Sequence, residues 1–246
     1  MGCEGNQLTH LDGGHHVRRC RSSRAALFSR RHPVQLGHRI HRAIDGYANR
    51  LVRLIGESYG QHTVQRAWRE FTVGKDQTFY GYHANAELFF SWLFHQWAPV
   101  RANGDEVRDE SLYGVSPTRA YLERRAAGLN PLLRQYLQAC LSTSPRFYEV
   151  VTCTAGQGFR ARDVFNNTTH TVSEVVASTS LERGDILYAH LIPLGSITLL
   201  DAISPLSFPP QSKGRLLQLC PRERTREPAG TEFRQLYFKL CAIAAS

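Results

Sequence analysis

Lysine is scarce: three residues (Lys75, Lys213, Lys239) stand against 27 arginines. We read that skew as codon composition and not as a phosphate-binding device. Methionine occurs once. No apolar run approaches the ~20 residues that a membrane-crossing helix needs. The six cysteines (3, 20, 140, 153, 220, 241) contain no C-x-x-C pair. That excludes the common zinc and redox spacings and suits a reducing compartment better than a disulfide framework. A G-x-S-x-G elbow, a Walker loop and an H-E-x-x-H helix are all missing. Residues 1–20 lack the apolar core of a secretory signal. The expected location is therefore the cytoplasm, with no membrane partner and no cofactor.

What is present is a basic start and an apolar body. Of the net charge of +9, residues 1–43 carry +6, from eight arginines against Glu4 and Asp12. The other 203 residues are close to neutral. Residues 1–39 read as a basic disordered tail, or as a segment preceding the native start. Cys3, His10, His15, His16 and Cys20 lie in it, at spacings that match no standard zinc site.

From residue 40 the apolar positions recur at helical spacing. Ile44, Tyr47, Leu51, Leu54 and Ile55 predict one helix, and Val64, Ala67, Trp68 and Phe71 a second. A third, about 83–97, carries the aromatic stripe Leu88, Phe89, Trp92, Leu93 and Trp97. Its rings could stack bases, but residues 83–98 hold no Lys or Arg, so core packing is the better account. Ser116-Pro117 and Asn130-Pro131 each read as an N-cap followed by proline in the first turn.

Near Pro145 the period changes from 3.6 to 2. Strands are predicted at about 147–153, 159–165, 172–177, 186–194 and 197–202, with a hairpin turn at Asn166-Asn167. Gly156 and Gly158 mark a turn and no nucleotide fingerprint, because a strand follows them. Two short helices are expected at 211–220 and 231–243. The predicted class is α+β: helices over 40–144, a small antiparallel β-sheet or barrel at about 146–210, and a helical C-terminus over 211–246. Residues 40–246 form a single domain in this reading.

The strings F-Y-E-V-V, G-Q-G-F-R-A-R-D-V-F and S-T-S-L-E-R-G-D-I-L-Y-A-H-L-I-P, followed by a proline-rich close, resemble a family of bacterial proteins without assigned chemistry. Its members often carry a SEC-C zinc-binding cysteine motif. The resemblance spans about residues 45–243. The cysteine motif itself is absent here, so no metal ligand is carried over, and the family supplies no catalytic residue.

Three functions compete on this sequence. A binding or adaptor module without catalytic activity fits the absence of catalytic motifs. A nucleic-acid-binding protein would use the arginine-rich start together with Arg146, Arg160 and Arg162. An enzyme would need a pocket at His83, Glu87 or His190. The candidate binding residues are accordingly His83, Glu87, Arg160, Arg162 and His190, with no metal ligands. His83 and Glu87 are four residues apart, and the pair reads as a surface or partly buried hydrogen bond.

Overall fold

The computed structural model describes residues 36–60, 62–74, 78–79, 83–101, 107–220 and 230–244. The expected tail lies outside the described residues up to position 35. Residues 36–39, assigned to that tail, are instead helical.

The first helical period is interrupted. Residues 36–44 form α1 and Tyr47–Ser58 form α2. Gly46 separates them at φ 69°, a left-handed conformation that glycine adopts without a Cβ penalty. Then follow α3 (His62–Phe71), α4 (Ala86–His95), α5 (Pro117–Arg125) and α6 (Pro131–Ser142). The expected cap at Asn130 is present, its side chain accepting from the Leu132 amide at 2.9 Å.

Helix α4 is apolar on all sides, and seven of its ten residues are buried. A helix of that kind belongs in the centre of a protein. One side of it meets α3, where Trp68, Phe71, Phe79 and Phe89 pack edge-on or tilted at 4.9–5.5 Å between centroids. Such geometry matches the electron-rich face of one ring to the edge of the next. The other side of α4 meets the β unit.

That unit is a closed barrel of β1 (Arg146–Thr154), β2 (Gly158–Asp163), β3 (Thr169–Val172), β5 (Ile197–Ile203) and β4 (Ile186–Leu194), in that order around the ring. Tyr148, Val150, Phe159, Ala161, Val172, Leu187, Ala189 and Leu191 fill its interior. On β4 the alternate residues Tyr188, His190 and Ile192 are also buried, under the helices. Helices α7 (Ser212–Leu219) and α8 (Gly230–Ala244) follow the barrel. The latter packs back on it, with Tyr237 stacked on Tyr188 at 4.8 Å.

Two β expectations change. The strand expected at 172–177 lies earlier, at Thr169–Val172. Beyond it the chain leaves the ladder in a turn, where the Glu174 carboxylate accepts from the Val176 amide at 3.0 Å and both Val175 and Val176 are exposed. The sheet is also not wholly antiparallel. β3 and β5 run parallel and share one residue pair, Val172 with Thr198.

Gly158 opens β2 against the end of β3. Its φ is +145°, and a Cβ there would lie 2.2 Å from the Val172 carbonyl oxygen. Gly158→Ala is expected to cost about 2 kcal/mol or more, through backbone strain and that collision. Denaturant unfolding measures it; an unchanged midpoint would show that the β2–β3 approach is looser than described.

Candidate functional site

The centre of the candidate site is Asp201 on β5. It is a single acid in an otherwise apolar strand, and its side chain is 5 % exposed. Across the β4–β5 ladder His190 pairs with Ala202 and Leu191 with Leu200, which leaves Asp201 without a partner of its own. Asp201 is thus the extra residue of a β-bulge. A bulge breaks the strict alternation of a strand and re-aims a side chain. Here it turns Asp201 out of the barrel toward α4.

Four donors meet the carboxylate. Ser91 Oγ donates to Oδ2 at 2.6 Å, and His190 Nδ1 lies 3.1 Å from the same oxygen. Tyr136 donates to Oδ1 through a short hydrogen bond, and Tyr47 donates to it at 3.3 Å. Ser91 and His95 stand four residues apart on α4 and so share a face. His95 Nε2 is 3.7 Å from Oδ2, and its Nδ1 is 2.9 Å from Thr118 Oγ1. Beyond His190, Nε2 reaches Thr143 Oγ1 at 2.9 Å. The network therefore ties α2, α4, α6 and two barrel strands to one oxygen pair.

Burial alone would raise the Asp201 pKa. The hydrogen bonds from His190 and Ser91 reverse that and hold the carboxyl well below the usual carboxylate range. Burial pushes His95 the other way, down to about 4, although the Asp201 charge pulls it up and His190 adds to the lowering. His95 is therefore neutral at pH 7, and hydrogen bonds rather than a His95 charge sustain the carboxylate. Burial and the Asp201 charge raise Tyr47, Tyr136 and Cys140 above their ordinary values. All three keep their protons.

His95, Cys140 and Asp201 bring three donor atoms within 4.8 Å of one another. The grouping fits a metal poorly. Each carboxylate oxygen already accepts two hydrogen bonds, the full complement of a carboxylate. A protonated buried thiol is also not a ligand.

Two concave regions flank the barrel. A polar cleft of about 730 Å³ is lined by His95, Gln96, Ser116, Arg119, Thr143 and Ser144 among others, so it touches the Asp201 network at both His95 and Thr143. A second cleft, about 600 Å³, lies at one end of the barrel. It opens where β3 and β5 part after their single residue pair.

The sequence-derived candidates scatter. His83 is exposed; its Nδ1 accepts from the Asn85 amide at 3.0 Å, and among the described residues it makes no hydrogen bond or ion pair with Glu87. Glu87 is exposed in the first turn of α4, and neither residue lines a cleft described here. Arg160 lines the barrel-end cleft. Arg162 does not; it pairs with Glu149 at 2.8 Å on the outer face of the sheet. His190 alone belongs to the buried network. Sequence reasoning missed Asp201, Ser91, Tyr47, Tyr136 and Thr143 as functional groups. The one usable signal was the isolated acid in I-T-L-L-D-A-I. No protein-family model, curated protein or solved structure matches the chain.

Removing the Asp201 charge strands its donors. Asp201→Asn is expected to cost about 3 kcal/mol near neutral pH. A carboxyl depressed by folding contributes fully above its unfolded value near 4, and that contribution fades as pH falls below about 5. The wild-type advantage over Asp201→Asn should therefore shrink in acid. His95 is lowered too, so its contribution is complete above about 6.5 and is lost on the way down to its folded value. Between pH 7 and 5 the wild type should lose on the order of 1–2 kcal/mol that His95→Asn does not lose. Chemical denaturation across pH measures both, and parallel pH profiles for wild type and variants would contradict these assignments.

Proposed function

We propose that the chain is a binding protein whose ligand seat is the barrel-end cleft, and that the ligand is a small amphiphilic anion. One observation supports this most: the cleft places an exposed cation, Arg160, beside an apolar floor, while Glu174, the carboxylate in the same lining, is engaged by the Val176 amide. Arg160 makes no ion pair among the described residues, whereas its neighbour on the same face, Arg162, is paired. The floor is apolar, from Phe159, Ile197 and Leu199, and His38 and His41 of α1 form a further wall. A cavity of about 600 Å³ lies within the usual range for small-molecule sites. The barrel interior is filled by its own side chains, so a ligand rests against its end.

The nucleic-acid reading has less support. Of the three arginines that would serve it, Arg146 pairs with Asp163 and Arg162 with Glu149. Lys213 also pairs with Glu149. The Arg146–Asp163 pair is largely buried, and Glu149 engages both Arg162 and Lys213, so these cations are already held in ion pairs. The arginine-rich start lies outside the described residues.

A medium-chain carboxylate such as octanoate should bind saturably to the full chain in calorimetric titration. Arg160→Glu should weaken that binding about tenfold or more, the loss of one charge-assisted contact. No saturable heat, or equal affinity in the variant, would contradict the proposal. Displacement of octanoate by a short oligonucleotide, with steep salt dependence, would favour the nucleic-acid reading instead.

A further inference from the structure

The polar cleft beside α6 carries a second chemistry, independent of the barrel-end ligand. It begins with the proton on His190. Asp201 Oδ2 lies 3.1 Å from Nδ1, and Ser91 Oγ, whose proton goes to that same oxygen, lies 2.8 Å from Nδ1. An ionised carboxylate at that distance needs a hydrogen facing it, because two lone pairs would repel. In the neutral ring the proton therefore sits on Nδ1, and Nε2 is left as an acceptor.

The ring is completely buried, so that acceptor needs a donor. Thr143 Oγ1, at 2.9 Å, is the hydroxyl that supplies one. Thr143 Oγ1 also donates to the Ala139 carbonyl at 2.8 Å, as expected at a helix end. Its single proton serves one acceptor at a time, and when it turns to His190 that carbonyl keeps the Ser142 hydroxyl as a donor at 2.9 Å.

The order carboxylate, imidazole, hydroxyl is the arrangement that activates an oxygen nucleophile on unrelated folds, and it is recognised by geometry rather than by position in the chain. Thr143 is the C-cap of α6 and lines the polar cleft. Gln96 lines it as well, with Nε2 resting 3.4 Å from the Thr143 carbonyl, near the limit of a hydrogen bond. A weakly engaged amide beside a nucleophile is a donor for a developing oxyanion. Arg119 and Glu123 at the rim suit a polar substrate.

We infer that Thr143, His190 and Asp201 form a nucleophilic relay, acting on small polar carboxylic esters bound in this cleft. Thr143 Oγ1 attacks the carbonyl carbon and its proton passes to His190 Nε2. The carbon–alkoxide bond then breaks, and the alkoxide leaves with that proton. Water, deprotonated by the same Nε2, releases the acid from the acyl-threonine and restores the hydroxyl. Asp201 keeps the ring in the productive tautomer and is not itself protonated.

The test is covalent labelling of the full chain with an alkyl fluorophosphonate. In that reaction an Oγ–P bond forms, the P–F bond breaks, fluoride leaves and His190 takes the proton. Intact-mass analysis should show one adduct, and peptide mapping should place it on Thr143. Thr143→Ser should label at least as fast, Thr143→Ala should lose the adduct, and His190→Gln should label at least ~100-fold more slowly, the usual contribution of a general base. No adduct on the wild type and on Thr143→Ser would overturn the inference. So would an adduct on any other residue, or wild-type labelling rates in His190→Gln. If a variant fails to fold, the position of the adduct on the wild type decides.

Discussion

A carboxylate removed from water must find replacement donors, and in this protein that requirement shapes the joint between two halves. Asp201 accepts from Ser91, His190, Tyr136 and Tyr47, which come from α4, β4, α6 and α2. No two of those donors share an element. The helical layer and the barrel therefore cannot shift against each other without leaving a buried charge short of partners, a costly state in a low-dielectric interior. The bulge in β5 makes this possible, because a regular strand would not place Asp201 and Ala202 consecutively on the helical side.

The barrel contributes in a different way. Its interior is closed by packing, so its recognition chemistry is displaced to the edges. At the end where β3 and β5 part, a gap opens beside Phe159 and Arg160. On the flank where α6 runs into β1, the chain turns through Thr143 and leaves a polar cleft. The two clefts differ in kind. The first has an apolar floor and a cation, Arg160, that makes no ion pair among the described residues. The second has hydroxyls, amides and a histidine backed by the carboxylate. A shared scaffold with separate binding and chemical surfaces follows from those linings.

Much of the architecture was legible in the residues, because side-chain period reports directly on which face is buried. The switch at Pro145, the strand at Ile186–Leu194 and the cap at Asn130 follow from rules that act over a few neighbours. The break at Gly46 and the early end of β3 were harder. Both depend on contacts made elsewhere, and Val175 and Val176 look like strand residues until nothing covers them. The site was mostly hidden. His190 drew attention as a histidine in an apolar strand, but its partners Ser91, Thr143 and Asp201 lie 99, 47 and 11 residues away in the chain. Serine and threonine at those positions carry no local pattern. Their role comes from the register of β4 against β5 and from the packing of α4 across them, neither of which a single sequence displays.

An ionised Asp201 fixes the proton of His190 on Nδ1. Long-range proton–nitrogen correlation spectroscopy on histidine-labelled protein reads that tautomer directly. His190 should show a protonated Nδ1 and a bare Nε2 at neutral pH. A proton on Nε2, whether alone or together with one on Nδ1, would contradict that assignment, since Thr143 would then lose its base.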